Sequence, residues 1–396
     1  MGRVKTCFTF QFLLTLVSDH VVLGSISLKA PQVFDLKSSI VSNHTIFGNA
    51  SLKTPQVSDL KSSNNQEEED RILHPTTTIS SNTVPEMLSL ISKDVQAIWN
   101  ARKNAVVQVK GNTKDEHGQN KLLSGTGFFV DANGHVLTTA AIAAEAENLW
   151  VDYNGLSYTA IVIGKDLTTN LAIIKLLKKP EHFQHIALQK FSSYECSQCG
   201  ELVVFIGCVL GFPPAPNFGI VLGENITLGN RVFIVSYLRS NIEICGGESG
   251  APVFDSLGNL CGVLIASLPE ARSSFIIPSC ILERIFQALL MNGTVKYSSA
   301  GFSVRSQMAI SGKREIIISS LRERTPKDST KDYLKIGDVI SKIDGIDIRE
   351  EKDIANLLFF RKPNETITLT VWRNNRTIEI PITLTEKTSE QFFLTT

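Results

Sequence analysis

Gly125-Thr-Gly-Phe-Phe-Val-Asp-Ala-Asn-Gly-His-Val-Leu-Thr138 is the stretch that says most about the fold of this 396-residue chain. It contains two short β-rich runs, Gly127–Val130 and His135–Thr139. Many short strands at regular spacing favour a pair of all-β barrels. Nine similar runs punctuated by glycine occur on either side: Ala105–Val109, Leu149–Tyr153, Ala160–Ile163, Ala172–Leu176, Leu202–Ile206, Gly219–Val221, Arg231–Tyr237, Ala251–Asp255 and Leu260–Ile265.

Two helices are expected at the borders of this β-rich region. The capping-box pattern Thr83-Val-Pro-Glu86 predicts a helix that begins near Thr83. The apolar residues that follow it share one helical face: Leu88, Ile91, Val95 and Ile98. A second helix is predicted over Ile281–Leu290, so we expect the first domain to span residues 83–290.

A smaller α+β unit is predicted after this domain, over residues 298–388. Its central segment, Leu334-Lys-Ile-Gly-Asp-Val-Ile-Ser-Lys-Ile-Asp-Gly345, indicates a strand that ends in an Asp-Gly turn. We expect a helix over Asp353–Phe360, followed by two closing strands, Ile367–Trp372 and Thr377–Ile380. The fold class is therefore mainly β, with the double barrel first and the small α+β domain second.

The composition narrows the classes of ligand. Lys plus Arg and Asp plus Glu both number 39, so the formal net charge is +0 and nucleic-acid binding is not expected. Cys196 and Cys199 form a single C-x-x-C, for which only His182 and His185 offer further zinc ligands nearby. A zinc site, solvated loop residues and a local thiol pair remain open for these cysteines, and we expect neither a metal nor another cofactor.

The first 24 residues are predicted to be a targeting segment. Arg3 and Lys5 precede an apolar stretch that runs from Cys7 to Val17. This stretch is too short to span a bilayer, so no stable membrane span is expected. Its basic and hydroxyl-rich character suits an organellar transit peptide as well as a secretory signal peptide.

Residues 25–82 are predicted to form a disordered linker. A tandem repeat, Ser27–Ser39 and again Ser51–Ser63, is followed by a polar and acidic stretch. Two copies are too few to stack into a repeat fold, and a linear docking motif is the alternative function for them. Six N-x-S/T sequons in the chain, two of them in this segment, favour secretion slightly: Asn43, Asn49, Asn225, Asn292, Asn364 and Asn375.

Three segments of the first domain resemble the HtrA/Do-like, or DegP-type, trypsin-like serine proteases. Gly125–Thr138 resembles the strand pair that leads into the catalytic histidine, and this position is Ala141 here. Ile163-Gly-Lys-Asp-Leu-Thr-Thr-Asn-Leu-Ala-Ile-Ile-Lys175 resembles the segment of the catalytic aspartate, and this position is Asn170. Cys245-Gly-Gly-Glu-Ser-Gly-Ala-Pro-Val253 resembles the nucleophile loop and keeps Ser249. A plant Do-like member with a degenerate triad fits this pattern.

The resemblance implies a serine protease scaffold without its base. Alanine can neither accept a proton from the serine hydroxyl nor be held by a carboxylate, as the triad mechanism requires. His135 is expected to fill a packing role, while His117, His182 and His185 fall in loops. The backbone amides of Gly247 and Ser249 would form the oxyanion hole, with the carboxylate of Glu248 close to it. A catalytically inactive homologue is therefore expected, and an active endopeptidase with a non-standard base is the alternative.

The second unit resembles a PDZ domain of the HtrA type. Ala300-Gly-Phe-Ser303 and the following Val304 match the loop and strand that bind a peptide's C-terminal carboxylate, with alanine where a larger apolar residue is usual. The resemblance implies binding of unfolded or C-terminal peptide segments, in a chaperone-like or regulatory subunit. A PDZ domain that only packs on the barrel is the alternative. The resemblance to the HtrA/Do-like family also implies homo- or hetero-oligomers, commonly trimers. It further implies a mitochondrial or chloroplast address in preference to the secretory pathway.

Overall fold

Short strands dominate the computed structural model of the protein, which describes residues 83–194, 196–228, 231–309, 312–321 and 334–387. It contains two closed six-stranded barrels and a smaller α+β unit, so the predicted fold class is confirmed. The predicted targeting segment, residues 1–24, and the predicted linker with its repeat, residues 25–82, lie outside the described residues. No helix in the described ranges is long and apolar enough to cross a membrane.

The first barrel follows helix α1, Thr83–Arg102, and its strands adjoin in the order β1-β2-β3-β6-β5-β4. Its interior is filled by apolar side chains from all six strands, including the fully buried Val109, Phe129 and Ile174. A short helix, α2, covers Ala140–Glu145 between β3 and β4. The six strands are β1 Val106–Lys114, β2 Asn120–Phe129, β3 His135–Thr139, β4 Asn148–Tyr153, β5 Leu156–Asp166 and β6 Leu171–Leu176.

The second barrel repeats this plan in the order β10-β11-β12-β9-β8-β7. Val203, Phe205 and Leu264 are among the buried side chains of its interior. Helix α3, Leu282–Asn292, ends at Gly293 in the left-handed conformation and joins a core that includes residues of both barrels. The strands are β7 Leu202–Gly207, β8 Ala215–Leu228, β9 Arg231–Ser240, β10 Pro252–Asp255, β11 Leu260–Leu268 and β12 Ser273–Pro278.

The structure extends or corrects several predicted elements. Strand β8 runs far beyond the predicted Gly219–Val221, because Gly219 pairs in register with Val203 and the register shift at Gly223 does not end the strand. Helix α2 and strand β12 have no counterpart among the predicted elements. Leu88 in α1 is 62% exposed, so the predicted apolar face of this helix packs only towards its C-terminal half, where Ile98 is buried.

The C-terminal unit is built on the sheet β14-β15-β16-β18-β19, with β17 beside β16. Helix α4, Glu351–Phe359, begins with a capping box in which Glu350 and Asp353 bond each other's backbone amides. Strand β13, Tyr297–Ser299, pairs with β20, Thr385–Lys387. The sheet strands are β14 Phe302–Met308, β15 Arg314–Leu321, β16 Val339–Ile343, β17 Ile346–Asp347, β18 Thr366–Arg373 and β19 Arg376–Thr383.

Helix α4 also packs on strand β9 of the second barrel. The Ser236 amide of β9 donates a 2.7 Å hydrogen bond to Oδ1 of Asn356, which is buried in the contact. Phe359 is 2% exposed and belongs to the core that includes residues of both barrels. At the other end of the helix, Lys352 Nζ lies 3.6 Å from a carboxylate oxygen of Glu224 on β8. The second unit is therefore attached to the barrel by buried polar and apolar contacts.

We predict that Asn356→Ala lowers the free energy of unfolding by about 1–3 kcal/mol, because it leaves the buried Ser236 amide without its acceptor. Lys352→Ala is the matched control, since a partly exposed ion pair contributes about 0–1 kcal/mol. Urea unfolding followed by tryptophan fluorescence measures both. Equal stability of Asn356→Ala and the unmodified chain would show that the amide finds another partner.

Candidate active site

The turn that carries Ser249 is tied to the first barrel by one residue, Thr126 of β2. The Thr126 hydroxyl donates to the Gly247 carbonyl at 2.7 Å and accepts from the Cys208 amide at 2.9 Å. The Thr126 amide donates to the Ser249 carbonyl at 2.9 Å. Thr126 is fully buried, and sequence reasoning did not single it out. The two barrels therefore meet at the candidate nucleophile.

Close backbone packing explains the glycines of this turn. A Cβ atom on Gly250 would lie 2.0 Å from the Thr126 carbonyl oxygen, and one on Gly247 would lie 2.4 Å from the Cys208 oxygen. Both glycines have positive φ angles, +95° and +98°. The amides of Gly247 and Ser249 donate no hydrogen bond within the described ranges, which leaves two adjacent donors available for an oxygen atom.

Ala141 and Asn170 lie side by side. Ala141 is the second residue of α2, and Asn170 lies between β5 and β6 in the left-handed region, with φ of 58°. The Ala141 amide donates to Asn170 Oδ1 at 3.0 Å, and the Ala140 amide donates to the Asn170 carbonyl at 3.0 Å. Nδ2 of Asn170 lies 3.5 Å from the Ile265 carbonyl oxygen. Both ends of the Asn170 carboxamide thus face backbone groups.

Ser249 has no base beside it in the part of the chain that the structure describes. Its side-chain oxygen is buried and has no hydrogen-bond partner there, and the residue is 8% exposed. His135 is buried, with Nδ1 at 2.6 Å from Asp131 and its ring edge-on to Phe286. The other three described histidines are exposed in loops: His117, His182 and His185.

Glu248 turns back onto its own loop. It is 4% exposed, and its Oε2 accepts a hydrogen bond from the Cys245 amide at 2.6 Å. Burial raises the pKa of this carboxyl, and the Cys245 amide partly offsets the rise. The side chain therefore adds a buried acidic group to the turn that holds Gly247 and Ser249.

Asp166 organises the loop that ends at Asn170. Its carboxylate accepts hydrogen bonds from the Thr168 amide at 3.2 Å, the Thr169 amide at 3.1 Å and the Thr169 hydroxyl at 2.5 Å. The buried hydroxyl of Tyr297 on β13 also donates to it. Burial raises the pKa of Asp166, while these donors oppose the rise. Sequence reasoning missed this contact between Asp166 and the strand that enters the C-terminal unit.

The cysteine pair does not form a metal cluster. The Cys196 thiol donates to Oε1 of Glu224 at 2.8 Å, and the Cys199 thiol donates to the Leu222 carbonyl at 3.3 Å. Among the described residues, no three His, Cys, Asp or Glu side chains are grouped to hold a metal ion. Burial raises the pKa of the Cys196 thiol to about 12, so this sulfur is held in its protonated form.

The candidate carboxylate loop precedes the edge strand β14. Ala300 is buried, Gly301 has a φ of 75°, Phe302 is half-buried against the core of the C-terminal unit, and Ser303 is exposed. Strand β14 pairs with β15 alone in the sheet order. Its second edge carries no strand in the described sheet and contacts helix α4, so it is the edge at which a peptide strand would be added.

Comparisons with known proteins agree with this architecture. Residues 125–263 match the trypsin-like peptidase domain, and residues 299–384 match the PDZ domain. A probable periplasmic serine endoprotease, DegP-like, from Brucella suis is 25% identical over 287 residues, which are 69% of this chain and 55% of the relative. The relative of the same description from Chlamydia muridarum is 27% identical over 282 residues, 69% and 56% of the two chains. The chain thus spans about half the length of these relatives.

Solved structures show the same fold. The HtrA-type protease AlgW with a tripeptide superposes with a TM-score of 0.61 at 19% identity, covering 74% of this chain and 97% of that one. The serine endoprotease from Yersinia pestis gives 0.54 at 20% identity, covering 74% and 98%. Both domain matches and the DegP-like relatives make the chain similar to members of the HtrA/DegP-type serine protease family, and the solved structures share its fold.

Proposed function

We propose that this chain is a non-catalytic member of that family which binds unfolded or C-terminal peptide segments. The observation that carries the proposal is the unpartnered side-chain oxygen of Ser249, with alanine at the position of the base. The proposed site consists of Ser249, Ala141 and Asn170, with an oxyanion hole made by the amides of Gly247 and Ser249. Peptide binding is proposed for Ala300, Gly301, Phe302 and Ser303.

The size of the expected loss in kcat supports a binding role. Removing the histidine of such a triad lowers kcat by roughly 10⁶-fold, and removing the aspartate lowers it by roughly 10⁴-fold. An intact oxyanion hole and substrate binding retain only about 10³–10⁴ over the uncatalysed reaction in water. Peptide hydrolysis at that level would be negligible, whereas the two available amides would still bind a carbonyl or carboxylate oxygen.

An active serine endopeptidase with a non-standard base is the alternative function. Glu248 is the acidic group next to Ser249, but its carboxylate is engaged with the Cys245 amide. His135 is engaged with Asp131. The alternative therefore requires a rearrangement of the turn, or a base supplied by another chain or by residues outside those that the structure describes.

Assembly and compartment follow as parts of the proposal. We propose a homo- or hetero-oligomer, a trimer by resemblance to the family, in which this chain would present peptides or regulate an active relative. The relatives named above are described as periplasmic. A mitochondrial or chloroplast address is preferred here by resemblance to plant Do-like members, with the secretory pathway as the alternative, and the basic and hydroxyl-rich N-terminus suits both.

The purified chain is expected to show no measurable cleavage of unfolded casein, since no base is available to activate Ser249. Fluorophosphonate labelling should likewise be absent, and Ser249→Ala should leave both results unchanged. An active HtrA-type protease serves as the positive control. A turnover that disappears in Ser249→Ala would establish the active alternative.

The double change Ala141→His with Asn170→Asp is expected to restore fluorophosphonate labelling of Ser249. Ala141 is half-buried, and the Asn170 side chain already lies against its amide, so an imidazole and a carboxylate would be adjacent. Neither single change should label, because Asn170→Asp alone supplies no imidazole base and Ala141→His alone lacks the carboxylate that orients the imidazole. Recovery should be partial, because Glu248 remains buried in the turn.

Absence of labelling in the folded double variant, with circular dichroism as the control for folding, would mean that the turn itself is not competent. In that case the binding function would stand without a recoverable active site.

Peptides that end in an apolar residue with a free carboxylate are expected to bind in the micromolar range, since one groove supplies limited contact. Amidation of the C-terminus should abolish binding, because the backbone amides of the Ala300–Ser303 loop would lose their charged acceptor. Fluorescence anisotropy with paired free and amidated peptides measures this. Equal binding of the two forms would rule out a carboxylate loop.

A further inference from the structure

One backbone amide on the open edge of β14 is already occupied. The Ser306 amide donates a 2.6 Å hydrogen bond to Oε1 of Glu351, the first residue of α4. A carboxylate that accepts a backbone N–H forms one of the stronger hydrogen bonds in proteins. Glu351 therefore occupies the position at which an added strand would place a backbone carbonyl.

The occupied position lies partway along the edge. The backbone N–H and C=O groups of alternate residues in a strand point to the same side. The backbone amide of Val304 therefore faces α4, as the backbone amide of Ser306 does. The candidate carboxylate loop ends just before this pair, at Phe302 and Ser303. An extended peptide whose last residue lies opposite Phe302 would reach Val304 with about its third residue from the end and Ser306 with about its fifth.

Helix α4 cannot easily withdraw Glu351 from the edge by moving as a whole. Its opposite side is fixed to the barrel by the bond from Ser236 to Asn356 and by the buried ring of Phe359. Lys352, the next residue, lies 3.6 Å from Glu224 of the barrel and 3.3 Å from Glu350. Opening the edge beyond Val304 therefore requires a change in the Glu351 side chain itself.

We propose that Glu351 is a specificity-determining residue that limits the groove to about the last four residues of a peptide. This limit on peptide length rests on the peptide binding proposed above. A longer peptide can extend its strand pairing past Val304 only by displacing the carboxylate, so residues further from its C-terminus contribute little affinity. The groove would thus select for the terminal residues and ignore the sequence before them.

The test compares two acetylated peptides that end in the same four residues, the last of which is valine. One peptide has only these four residues, and the other has ten, with alanine and serine added at the N-terminal end. We expect the full chain to bind both with equal affinity. Glu351→Ala should strengthen binding of the ten-residue peptide by about threefold to tenfold, the value of one or two further hydrogen bonds, and leave the short peptide unchanged. The capping box uses Glu350 and Asp353, so this variant keeps its helix start.

Glu379→Ala is the matched control, since it removes an exposed carboxylate from β19 at the other edge of the sheet. It should change neither affinity. Tighter binding of the ten-residue peptide by the unmodified chain, or an equal gain for both peptides in Glu351→Ala, would overturn the length limit while leaving peptide binding intact. If neither peptide binds any of the three chains, the peptide-binding function fails together with the length limit.

Discussion

The hydrogen bonds of Thr126 are the constraint on which the candidate active site depends. This one buried side chain, on a strand of the first barrel, satisfies a carbonyl and an amide of the second barrel, and its own amide bonds the Ser249 carbonyl. Buried backbone groups need such partners, because each unpaired group costs about 1–3 kcal/mol. The turn that carries Ser249 can therefore keep its shape through contacts that involve neither Ala141 nor Asn170.

If the chain is non-catalytic, as proposed, this separation would let the protease scaffold persist without its chemistry. Oδ1 of Asn170 accepts a hydrogen bond from the Ala141 amide, and a carboxylate oxygen could accept this bond equally well. Asp166 holds the loop before Asn170 through three donors of that loop and the hydroxyl of Tyr297. The groups that shape the site are mostly backbone atoms and buried polar side chains, whereas the groups that would react are replaceable side chains on top of them.

The sequence predicted most strands because β-rich runs separated by glycines are a local signal. It could not predict the extent of β8, since whether a glycine ends a strand or sits in a bulge depends on the neighbouring strand. For the site, the identities at positions 141, 170 and 249 could be read from motifs. The role of Thr126 could not, because its partners lie 82 and 121 residues away in the chain. The domain limits 83–290 and 298–388 remain predictions.

The C-terminal unit contacts the barrel beside two parts of its proposed peptide groove. Helix α4, which would form one wall of that groove, packs on β9 through Asn356. The candidate carboxylate loop begins at Ala300, directly after the strand of Tyr297, which reaches Asp166. A contiguous path of packed and hydrogen-bonded groups thus runs from the groove to the loop of Asn170. Energetic coupling along such a path requires an element with two arrangements. On the length limit proposed above, the Glu351 side chain would have two, one bonded to Ser306 and one displaced by a peptide, and it lies on the groove side of the path.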